Sequence, residues 1–159
     1  DRVRRAAYDA HLGLSRLPRN LPPGGVFIDD DEDRERYLRQ VFHPCRQSIL
    51  KLINLYPRQL KKLSEDIYDQ VLVEIFEEYT DRLESTLRAS SQSRTRNPEP
   101  QGLHAAVTMM RYSIAQAADG LEEMRRFCQH YNYDHLSMAG NLLKIAADLS
   151  KQSLALTKL

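Results

Sequence analysis

Tryptophan is absent from these 159 residues, glycine occurs six times and cysteine twice. No apolar run approaches the ~20 residues needed to span a bilayer as a helix. Lys plus Arg number 23 and Asp plus Glu 22, so no overall charge draws the whole chain toward nucleic acid or acidic lipid. The Gly24–Gly25 pair follows prolines and opens no strand–helix unit, so no phosphate-cradling loop is present. No Gly-x-Ser-x-Gly elbow occurs, and neither cysteine has a histidine at a catalytic spacing. His43–Cys45 and Cys128–His130 are two residues apart, which on a helix points them to different sides. No Glu-x-x-His pair exists, and Glu77–Glu78 and Glu122–Glu123 are expected on polar helix sides, so a di-metal core is rejected. Catalytic, cofactor and metal residues are therefore expected to be none. Asn-x-Ser/Thr is also missing, which weakens a secreted reading.

What is present is helical periodicity. The length suits one domain with a sizeable core. Residues 1–14 are helix-compatible, and 15–25 hold three prolines and two glycines, so 1–32 reads as an N-terminal helix and arm. The acidic run 29–33 supplies capping and first-turn charge for a helix over 33–56. Pro44 predicts a kink or restart near His43. At Pro57 two readings compete: a kinked continuation, because the apolar spacing runs on through Leu60 and Leu63, or a turn. The turn is preferred, since proline suits a first helical position.

The next helix, 58–89, carries Ile67, Val71, Ile75, Tyr79 and Leu83 at steps of four, with Val73 and Phe76 widening the face. That breadth fits a bundle interior better than a dimeric coiled-coil seam. Residues 89–102 are polar with two prolines and read as a mobile surface loop. Helices over 103–130 and 135–157 follow, joined by the turn 131–134 with Asp134 as N-cap. The expected fold is all-α: an antiparallel four-helix bundle over 33–159 with an additional N-terminal helix or arm.

Three functions are weighed. The leading one is a non-catalytic protein–protein interaction module, an adaptor, scaffold or assembly subunit, and not an enzyme. Its partner-facing residues are expected on the arm and the 58–89 helix: Leu12, Leu14, Leu17, Phe27, Ile28, Tyr68, Phe76 and Tyr79. The second is a secreted, cytokine-like helical ligand with a Cys45–Cys128 disulfide. The third is a histidine phosphotransfer bundle using His135, with Lys144 as the next cation. Reduced, buried cysteines are preferred, which predicts an intracellular, cytoplasmic protein. Arg2, Arg4, Arg5, Arg16 and Arg19 offer weak membrane-surface contact, but a solvated arm is favoured, and no nucleic acid partner is expected because no aromatic platform lies among them.

Overall fold

The computed structural model of the chain describes residues 31–158. The expected N-terminal helix and most of the arm lie outside the described residues. Within them the protein is all-α, four helices packed as an antiparallel bundle. Residues 31–37 are helical, Leu38–Phe42 form a π-helical turn, and helix α1 follows as His43–Leu63. Helix α2 is Gln70–Arg96, a 3₁₀ turn spans Gln101–Leu103, α3 is His104–His130 and α4 is Tyr133–Leu156. Each helix packs on its two neighbours in the ring α1–α2–α3–α4.

The disturbance expected near Pro44 takes a specific form. The His43 N–H reaches back to the Leu38 carbonyl, widening the helix by one residue just before the proline. Pro44 then occupies the first turn of α1, where its missing donor costs least.

Pro57 does not turn the chain. It lies inside α1, which runs on to Leu63. The buried seam Ile49, Leu52, Ile53, Tyr56 and Leu63 passes it on the inner side. Pro57 itself is exposed, so water can replace the donor it lacks. The turn comes at 64–69 instead. There the Asp66 carboxylate accepts from the Tyr68 N–H, and Asp69 caps α2 by accepting from the Val71 and Leu72 N–H groups at 2.8 and 3.3 Å.

The four-residue stripe on α2 is also corrected. A step of four advances about 40° beyond a full turn, so Val71 lies about 120° around the helix from Leu83. The buried face is Val73, Phe76, Tyr79, Thr80, Leu83, Leu87 and Ser90, while Val71 points to solvent. Residues 89–96, expected as loop, continue α2. Polar side chains bond back along this last stretch: Thr95 Oγ1 donates to the Ser91 carbonyl, and Asn97 Nδ2 to that of Ser93. The connection to α3 is left with only a few non-helical residues, 97–100.

Two devices hold the helices in register. The first is small residues. Gly120 lets α3 approach α4 so closely that an added Cβ would sit 3.2 Å from Leu143 Cδ2 and 3.4 Å from the Ala139 carbonyl oxygen. The second is side chains that donate to carbonyls of a neighbouring helix. Tyr56 bonds Leu136, Tyr79 bonds Leu52 and Ser113 bonds Ala146, each at 2.6 Å, and Arg46 Nε bonds Ser150 at 3.1 Å. Tyr56, Phe76, Tyr79 and Phe127 form a continuous aromatic core between these points.

Candidate protein-docking surface

Both the α1–α2 and α3–α4 turns lie at the same end of an antiparallel bundle, and their aromatic residues meet. Tyr68, in the first turn, stacks on Tyr131, in the second, with ring centroids 5.9 Å apart and planes 28° from parallel. Tyr131 in turn packs edge-on against core Phe127. Tyr68 is 73% exposed and Val71, one turn along, is 62% exposed. Tyr133 adds a further half-exposed ring at the start of α4.

The backbone at Tyr131 is unusual. It ends α3 in the left-handed conformation, φ 57°, and is the non-glycine residue of positive φ among those described. Glycine is the usual occupant of that capping position, because a Cβ there costs on the order of 1 kcal/mol. The tyrosine is tolerated where its ring is clamped between Phe127 and Tyr68. Asn132, not Asp134 as expected, caps α4, its Oδ1 accepting from the Asp134 N–H at 2.9 Å. The result is a fixed aromatic shelf with one face open to solvent.

The residues expected to face a partner divide three ways. Tyr68 is on this shelf. Phe76 and Tyr79 are core residues, each 1% exposed, because they belong to the true inner face of α2. Leu12, Leu14, Leu17, Phe27 and Ile28 lie outside the described residues. Sequence reasoning did not single out Val71 or Tyr133 as surface residues, whereas Tyr131, read as the end of the α3 apolar stripe, is partly buried against the core.

The other candidate chemistries find different surroundings. Glu123 is not on a polar side: it is 6% exposed, and its carboxylate accepts from Arg126 at 2.6 Å and from His135 Nδ1 at 2.7 Å. The His135 hydrogen bond, more than the Arg126 charge, holds the Glu123 carboxyl below its ordinary pKa. His135 is therefore a largely buried strut between α3 and α4 rather than a presented phosphoacceptor. Cys45 and Cys128 are unbonded. Arg46 is level with Ser150 and Ser113 with Ala146, which sets Cys45 beside the first turns of α3 and Cys128 about 30 Å further along it. That separation excludes the disulfide of a cytokine-like ligand. Burial, and Glu77 nearby, push the Cys128 thiol up to about 11, which makes it a poor nucleophile.

Among the described residues, no three His, Cys, Asp or Glu side chains converge as a metal site would require. No described helix is long and apolar enough to cross a membrane. A surface cleft between α1 and α2, about 420 Å³, is lined by Ser48, Lys51, Asp81, Arg82, Ser85 and Thr86 and holds no histidine or cysteine. The shelf is one exposed apolar surface among the described residues; Tyr112, Met138 and Ile145 are exposed elsewhere on α3 and α4.

Residues 29–158 match the family model described as cyanobacterial DnaJ chaperone, C-terminal domain. No curated protein matches the chain, and no solved structure does.

Proposed function

The chain belongs to the family of C-terminal domains of cyanobacterial DnaJ chaperones, and from that premise we propose that it is a non-catalytic adaptor that docks a protein partner for the chaperone. The observation that carries this reading is the Tyr68–Tyr131 stack. It is an exposed aromatic surface built by two turns and held at the cost of a left-handed tyrosine. Aromatic side chains are favoured at interfaces because they bury a large area with few rotors to freeze. The reading carries an intracellular, cytoplasmic setting with it, which two unbonded cysteines support.

The test places a photoreactive side chain at position 68 and, as a control, at exposed position 88 on α2. Each chain is irradiated with a reduced, carboxymethylated polypeptide that cannot refold. Cross-linking at 68 well above that at 88 is the expected result. Equal labelling at both positions, or none at 68, contradicts the proposal.

A further inference from the structure

The charges around the shelf indicate what kind of segment it takes. Glu65, Asp66 and Asp69 flank Tyr68 in sequence, and Asp134 follows Tyr133. All four carboxylates are exposed. None is ion-paired among the described residues. By contrast, Asp81 and Glu84 face Arg125, and Glu122 and Glu123 face Arg126. The nearest cations on α1, Lys61 and Lys62, form no ion pair with the shelf acids. Helix dipoles do not offset this charge. Two helix N-termini and two C-termini meet at this end of an antiparallel bundle, so their fields largely cancel and the side chains set the sign.

Resting on the docking reading above, we infer that this surface takes an extended polypeptide segment in which Lys or Arg flanks an apolar or aromatic residue. One face of the Tyr68 ring is covered by Tyr131 and the other is open. A cation laid over the open face meets the negative side of the ring quadrupole, with the Asp66 and Asp69 carboxylates beside it. Its apolar neighbour then packs on the exposed parts of the Tyr68–Tyr131 stack. An acidic segment meets repulsion at the same positions, so the rim selects by charge while the rings supply contact area.

The experiment measures fluorescence anisotropy of three labelled peptides with the full chain. They share one Leu-Phe-Leu centre and differ in flanks of Lys, Ser or Glu. At low salt the Lys-flanked peptide should bind about tenfold tighter than the Glu-flanked one, the sum of a few exposed charge pairs. High salt should remove the preference. The Glu65→Gln/Asp66→Asn double variant should lose most of it too, and its unchanged circular-dichroism melt would show that the fold is intact. Asparagine at 66 keeps an oxygen for the Tyr68 N–H. Tyr68→Ser should weaken all three peptides.

Equal affinity for the three peptides, lost in Tyr68→Ser, overturns charge selection but leaves protein docking standing. No binding of any peptide overturns both. A molar mass that rises with concentration, and that Tyr68→Ser abolishes, makes the occupant a second copy of this chain and also overturns the inference.

Discussion

The Tyr56 hydroxyl donates to the backbone carbonyl of Leu136 at 2.6 Å, tying the middle of α1 to the first turns of α4. Gly140 lies against this contact, where an added Cβ would meet the Tyr56 ring at an ordinary 3.4 Å. Tyr79 makes the equivalent bond from α2 to Leu52 of α1. Both phenols are buried, so deleting either hydroxyl leaves the ring packed and removes one bond. Tyr56→Phe and Tyr79→Phe should each lose about 1 kcal/mol in urea unfolding, with unchanged m-values.

The same burial gives the protein an alkaline limit. Burial, with a smaller push from Glu99, raises the Tyr37 phenol from 10.0 to about 12, and burial shifts Tyr56 and Tyr79 upward as well. Above 10.0 the unfolded chain releases these protons while the folded chain keeps them. The unfolded state then binds fewer protons, so stability falls as pH rises from 10.0 through about 12 and is fully present below. Glu123 has the opposite sign. Its folded pKa is depressed, so its contribution is present above 4.5 and is lost as pH falls through the folded value. Urea midpoints across pH should show both limbs. Tyr37→Phe should flatten the alkaline limb and Glu123→Gln the acid one.

The two mid-helix glycines should respond to alanine with opposite signs. At Gly140 the nearest atom to a new Cβ is Tyr56 Cε2 at ordinary contact distance, so the gain in helix propensity dominates. Gly140→Ala should stabilise by up to about 1 kcal/mol. At Gly120 the new methyl would press on buried Leu143 at two atoms and on the Ala139 carbonyl. Gly120→Ala should destabilise by on the order of 1 kcal/mol through overpacking of the α3–α4 seam. Thermal melts of the two variants decide this.

Pro57 offers a stabilising change. It lies inside α1 on the exposed side, where alanine restores a backbone donor without disturbing the core. Pro57→Ala should raise stability by up to about 3 kcal/mol. Destabilisation would mean that the packing of α1 depends on the proline.

Much of the bundle was legible in the sequence, and the misses share physical causes. The α3 face was legible because its apolar residues recur at mixed steps of three and four, which stay on one face; on α4 the same reading put Ile145 inward beside Ala146, and Ile145 is 46% exposed while Ala146 is buried. The α2 stripe was misplaced because uniform steps of four drift around the helix, which buried Phe76 and exposed Val71. The signal for continuing α1 past Pro57 was present in Leu60 and Leu63, and was outweighed by a general preference for proline at helix starts. The tail of α2 has no apolar stripe to read, since Thr95 and Asn97 hold it by local side-chain bonds. Tyr68 is exposed, and its pairing with Tyr131 depends on two turns meeting in space, which no periodicity encodes.

Amide hydrogen exchange of the whole chain, with and without an unfolded polypeptide in excess, tests the docking shelf most directly. Protection should rise at 64–72 and 130–134 and stay unchanged along the middle of α2 and α3. Protection confined to other segments, or no change at these two turns while the polypeptide is demonstrably bound, would show that the partner sits elsewhere on the bundle.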